Sequence, residues 1–147
     1  MFNLKRRNMS FLHILISLGI LFPLGNNTNN QIHLKISNIP SGKGNILIAV
    51  YDKEDGFREK DQTFKNLTIP AQSGNIEATI PQVPEGTYAV AIFHDANGNG
   101  KLDKNILGIP TEAYGFSNNA KGSFGPPSYK QCSFALSGKK TLEIKLN

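Results

Sequence analysis

At 147 residues with a single cysteine, the chain has the size of one domain and can form no internal disulfide. Its 16 Lys+Arg against 11 Asp+Glu give a formal charge of +5. Lys5, Arg6 and Arg7 lie in the first 25 positions, which hold no acid, so the rest carries 13 against 11, or +2, and gives no argument for nucleic acid.

A basic start followed by an apolar run over 11–24 reads as a secretory signal peptide, residues 1–25. His13, Ser17, Gly19 and Pro23 interrupt the run, which is short for a membrane span. An uncleaved anchor is the competing reading. Secretion to the periplasm, cell envelope or medium is therefore expected, with no stable span after cleavage. No cysteine follows the run to take a lipid. The Asn-rich stretch 26–30 reads as a linker and 31–147 as the domain. About 120 residues can bury a core sufficient for independent folding.

Ile32, Leu34 and Ile36 alternate with polar residues, the pattern of a half-buried strand. Pro40-Ser41-Gly42-Lys43-Gly44 is a turn, and the apolar run 46–51 is a central strand. Asp52-Lys53-Glu54-Asp55-Gly56 lacks the spacing of a ligand cage and reads as a solvated loop. Residues 57–74 place Phe57, Phe64, Leu67 and Ile69 on the core through a loop or short helical turn, with a short strand over 66–69. Ile76, Ala78 and Ile80 mark another strand, and Pro81-Gln82-Val83-Pro84-Glu85-Gly86 a tight connection. The next strand, 87–94, is apolar on both faces, so its second face needs cover. Residues 104–128 are expected to supply it as a long loop. Residues 129–136 read as a strand, Ser137-Gly138-Lys139-Lys140 as a hairpin turn and 141–146 as a closing strand. Cys132 on the 129–136 strand reads as a small buried hydrophobe. The expected fold is all-β: an antiparallel immunoglobulin-like or transthyretin-like sandwich of about seven strands with one long loop.

The stretch His94-Asp95-Ala96-Asn97-Gly98-Asn99-Gly100-Lys101-Leu102-Asp103 carries the most specific chemistry. Asp95, Asn97 and Asn99 stand at positions one, three and five of an oxygen-cage calcium loop. Gly100 stands at six, the main-chain carbonyl of Lys101 at seven and Asp103 at nine. A hard cation needs oxygens converging from one short segment, and glycine permits the sharp turn. Position twelve is Ile106 rather than glutamate, and the preceding segment reads as a strand, so this is no helix-loop-helix hand. Glu112 is the candidate for the missing carboxylate. Two carboxylates and two amides make a low-charge cage, with an expected Kd of about 10⁻⁴ to 10⁻³ M for calcium. A metal-free loop of Asx turns is the competing reading.

The runs 83–95, 97–103 and 108–118, with their His-Asp and Gly-Phe-Ser-Asn blocks, resemble a family of small secreted bacterial proteins, domain of unknown function 2141. The resemblance covers nearly all of the mature chain. It implies secretion and a β-sandwich, assigns no activity and supplies no catalytic residues. Pro84-Glu85-Gly86-Thr87-Tyr88 is also similar to prealbumin-like modules appended to carboxypeptidases and surface adhesins, which are mostly non-enzymatic.

The leading functional expectation is a secreted non-enzymatic module. Its calcium loop would order the following segment, which would present Tyr114, Phe116, Phe124 and Tyr129 to a carbohydrate or peptide. The competing view is that these rings only cap the 87–94 strand. A hydrolase would use His94 as base with Asp95, Asp103 or Glu112. Neighbouring strand residues point to opposite faces, however, so His94 and Asp95 cannot pair along a strand. No Gly-x-Ser-x-Gly elbow and no Cys-x-x-Cys spacing supports that chemistry. A purely structural envelope or interaction protein is the third reading.

Overall fold

The structure, a computed structural model, describes residues 30–147. The expected signal peptide over 1–25, and all of the expected linker except Asn30, lie outside the described residues.

Alternating apolar residues build eight strands: β1 (Gln31–Ile39), β2 (Asn45–Tyr51), β3 (Lys65–Pro70), β4 (Gly74–Pro81), β5 (Gly86–Asp95), β6 (Tyr114–Phe116), β7 (Phe134–Leu136) and β8 (Lys139–Lys145). They form a two-sheet β-sandwich. One sheet has the order β4-β1-β8; the other has the order β3-β2-β5-β6, with β7 also paired to β5. Ile32, Leu34 and Ile36 of β1, Ile46, Ile48 and Val50 of β2, and Val90 and Ile92 of β5 meet in one buried cluster with Leu142 and Ile144 of β8. This period-two burial is the largest favourable contribution to folding in a chain without disulfides. Tyr88 sits at the entry to β5, where its hydroxyl donates to the Pro84 carbonyl at 3.0 Å. The pattern Pro84-Glu85-Gly86-Thr87-Tyr88 thus folds back on itself, as tyrosine corners do in Greek-key sandwiches.

Five expectations need correction. Residues 129–136 are not one strand: a helical turn, α1 (Tyr129–Cys132), precedes β7. Ser128 caps it, accepting from the Gln131 amide while the Gln131 side chain accepts from the Ser128 amide. The long loop over 104–128 is interrupted by β6 and a 3-10 turn over Ser117–Asn119. Ser137-Gly138 does not close a hairpin, because β7 pairs with β5 and β8 pairs with β1 in the other sheet. The β1–β8 pair is parallel, while every other strand pair is antiparallel. Asn30, expected at the end of the linker, is buried in the domain, where its side chain accepts from the Gly138 amide.

Cover for the second face of β5 comes partly from where it was expected. Ala89 packs with Phe116, but also with Cys132 of α1, and Phe57 and Tyr129 close the cluster. Phe57 meets Tyr51 edge-on at 5.1 Å between ring centroids and Tyr129 at 5.6 Å.

The Gly-Phe-Ser-Asn-Asn block stitches this side of the sandwich together. β5 pairs with β7 over Gly86–Tyr88 and with β6 over Ala91–Phe93, which leaves Ala89 and Val90 between the two partners. The Ser117 hydroxyl fills that gap: it accepts from the Val90 amide at 2.9 Å and donates to the nearby Cys132 carbonyl. Asn118, at φ 62°, donates to the carbonyls of Gln131 and Ser133. Asn119 bonds the free edge of β8 as a strand residue would, donating to the Glu143 carbonyl and accepting from the Lys145 amide. At Gly115 a Cβ would come within 2.9 Å of Ile144 and 3.0 Å of the Lys145 carbonyl, so a larger residue would push the two sheets apart.

Candidate metal centre

The site begins where β5 ends. β5 remains paired with β2 as far as Asn45 opposite Asp95. Strand alternation therefore turns His94 and Asp95 to opposite faces. Both are 2% exposed. The His94 Nε2–H donates to the Lys43 carbonyl at 2.7 Å and pins the 40–44 turn to the strand. No His94–Asp95 pair forms.

Asp95 is the anchor of the loop. Its Oδ1 accepts from the amides of Gly98 at 2.8 Å and Asn99 at 3.1 Å, and its Oδ2 accepts from Gly100 at 2.8 Å. Wrapping three amides around one carboxylate needs a sharp turn, and Gly100 makes it at φ 73°. Two further Asx turns continue the winding: Asn97 Oδ1 accepts from the Asn99 amide, and Asn99 Oδ1 accepts from the Lys101 amide. The Asn97 and Asn99 amide groups converge on the Asp103 carboxylate, at 2.6 and 2.9 Å. Glu112 spans the base, one oxygen accepting from Ala96 and the other from Asp103, both at 3.0 Å. The structure thus brings Asp95, Asn97, Asn99, Asp103 and Glu112 to one loop, with the Lys101 side chain exposed beside it.

Among the described residues, no three His, Cys, Asp or Glu side chains gather as a group that could hold a metal. A cation here would therefore depend on the Asn97 and Asn99 oxygens and the Lys101 carbonyl as well as on carboxylates, as hard-cation cages do. The existing bonds determine what must change. The Asn97 and Asn99 amide groups would release Asp103, and the oxygens already turned toward the loop would gain a partner.

Beyond the loop, the chain forms a narrow hairpin. Thr111 donates to the Asp103 carbonyl at 2.8 Å, Lys104 bridges Pro110, and Asn105 donates to the Ile109 carbonyl at 2.9 Å. Sequence reasoning did not identify Asn105 as the organiser of the tip, although an Asn four residues before Ile109 is suited to an Asx turn. Its Oδ1 accepts from both Leu107 and Ile109.

The four candidate ligand-binding rings are not brought together on one exposed face. Phe116 is buried, and Tyr114 and Tyr129 are half-buried against the same cluster. Tyr114 also borders a shallow cleft of about 370 Å³, lined further by Asn38, Pro40, Pro110 and Asn147. Phe124 alone stands fully exposed. Burial pushes the Cys132 thiol up to about 11, against a smaller downward pull from Arg58. No helix among the described residues is long and apolar enough to cross a membrane.

Residues 34–145 match the model of a family described as "Uncharacterized protein conserved in bacteria (DUF2141)". No curated protein and no solved structure matches the chain.

Proposed function

The chain belongs to this uncharacterised bacterial family, and we propose that it is an exported, non-enzymatic β-sandwich module whose 95–103 loop takes a calcium ion. The observation that carries the reading is the buried Asp95 carboxylate, placed at the first position of the loop and wrapped by three of the loop's own amides. A ligand already held in this way loses little freedom when a cation arrives. In this reading Asp95, Asn97, Asn99, Asp103 and the Lys101 carbonyl supply oxygens, and Glu112 closes the base of the cage. With so few carboxylates the affinity is low, with a Kd of about 10⁻⁴ to 10⁻³ M, suited to calcium-rich surroundings outside the cell. Export rests on the basic start and apolar run of the first 25 residues.

Two features favour a non-enzymatic role. The His94 Nε2 is committed to a backbone carbonyl, and Cys132 is buried with a raised thiol pKa, the opposite of an activated nucleophile. If a carbohydrate or peptide binds the segment that the cation orders, Phe124, which is exposed, and Tyr114, which borders the cleft, are the rings left available to it, since Phe116 is buried and the Tyr129 hydroxyl is held by the Thr87 carbonyl.

Calorimetric titration of the purified protein with calcium chloride tests this reading. Saturable binding, weakened at least about tenfold in Asp103→Asn, is the expected result. No binding to the wild type at millimolar calcium would overturn it.

A further inference from the structure

We propose that the tip of the 103–111 hairpin docks the protein on a bilayer surface bearing anionic lipid. Ile106 is 102% exposed, Leu107 77% and Ile109 55%, so three of the five exposed large hydrophobics among the described residues fall within four positions. Ile106 and Leu107 project from the tip with neither sheet packed against them, and Ile109 stands on its flank, at the rim of the cleft beside Asn38 and Tyr114. A flexible loop could fold such side chains away, but this tip is fixed. Asn105 Oδ1 holds the amides of Leu107 and Ile109, Gly108 donates to the Asn105 carbonyl, and Asn105 donates to the Ile109 carbonyl.

Those bonds favour lipid over a protein partner. A segment entering an apolar medium must satisfy most of its backbone donors internally, and the amides of Asn105, Leu107, Gly108 and Ile109 do so, which leaves that of Ile106 for the polar headgroup layer. For the same reason these amides are not free to add a strand to another protein. Charge selects the kind of surface. Lys104 is exposed at the base of the apolar tip and Lys101 is exposed in the loop just before it, whereas the carboxylates of Asp103 and Glu112 are half-buried and turned onto loop amides. The tip therefore presents apolar side chains flanked by cations, the combination that partitions into the interface of an anionic membrane. Three side chains make a weak, reversible anchor rather than a span. The tip's bonds lie within the protein, so the inference does not rest on calcium.

Co-sedimentation of the purified protein with vesicles tests this, using phosphatidylcholine alone and phosphatidylcholine mixed with phosphatidylglycerol, each in calcium and in chelator. Binding to the mixed vesicles in both conditions is expected, falling several-fold in high salt and about fivefold for each lysine removed in Lys101→Gln and Lys104→Gln. The double variant Ile106→Ser/Leu107→Ser should lose at least about tenfold while melting as the wild type does, because both side chains are solvent-exposed. Failure of the wild type to pellet with any vesicle would overturn the proposal, as would undiminished binding by the serine variant. So would a wild type that forms dimers, loses them in the serine variant and ignores vesicles, which would make the tip a contact between two copies of the chain.

Discussion

Asp95 does two jobs in this loop, and they can be separated by substitution. As an acceptor for three amides it holds the turn together without any cation. Asp95→Ala leaves those donors without their partner and is expected to cost about 2–4 kcal/mol, measured by denaturant unfolding in chelator. Asp103→Asn leaves the Asp95 bonds intact but removes one charge and one of the two acceptors that Asn97 and Asn99 use, so it should cost about 1 kcal/mol in chelator and show its larger effect when calcium is added. Gly100→Val places a β-branched residue at φ 73°, a conformation that such side chains avoid. It should destabilise the protein by about 1–3 kcal/mol with or without calcium, and a neutral result in the same unfolding assay would mean that the turn follows another path.

Cys132 gives a pH dependence of known sign. Its thiol is raised from 9.0 to about 11 in the folded protein. Below pH 9 both states hold the proton and stability is unaffected by it. Between pH 9 and 11 the unfolded chain ionises first, so folding loses up to about 1.4 kcal/mol per pH unit, and the loss levels off above the folded value. Cys132→Ala should remove this component from an alkaline unfolding series. The native thiol should also resist iodoacetamide at pH 8 and react once the protein is unfolded in urea.

Among the elements, β6 and α1 are where local pattern misleads. Tyr-Gly-Phe between Gly, Asn and Pro looks like loop, because three residues are too few for alternation to register. Its partners are distant in sequence, which local reasoning cannot see. α1 was legible in principle. Ser128 and Gln131 have capping-box spacing, but apolar Tyr129, Cys132, Phe134 and Leu136 draw the eye to a strand. β5 read correctly because its double-sided apolar run is long and its entry is punctuated by proline and glycine. The Gly-Phe-Ser-Asn-Asn block was visible as a specific pattern, but its structural role was not. Ser117→Ala would leave the Val90 amide and Cys132 carbonyl unpaired in a buried gap and should cost about 1–3 kcal/mol. Gly115→Ala should cost a similar amount through overpacking against β8. Little change in the unfolding midpoint of either variant would show that this seam does not hold the sheets together.

For the whole molecule, the all-β class and the position of the loop at the end of β5 followed from hydrophobic period and turn chemistry. The parallel β1–β8 pair did not, since nothing local to Ser137-Gly138 tells the chain to cross to the other sheet instead of turning back. The resulting design places the stable core in two facing sheets and the polar chemistry at one end of β5. The loop oxygens gather there, and the hairpin that follows projects from the same point. A cation in that loop would tie Asp95, at the end of the core strand, to Asp103, at the base of the hairpin. Thermal unfolding of the purified protein in millimolar calcium and in chelator measures this coupling most directly. Calcium at about 10 mM, roughly ten- to a hundredfold over the expected Kd, should stabilise the wild type by about 1.4–2.7 kcal/mol, with a clear upward shift in midpoint that is largely lost in Asp103→Asn. Superimposable curves for the wild type in calcium and chelator would contradict a calcium site and leave a loop held by Asx turns alone.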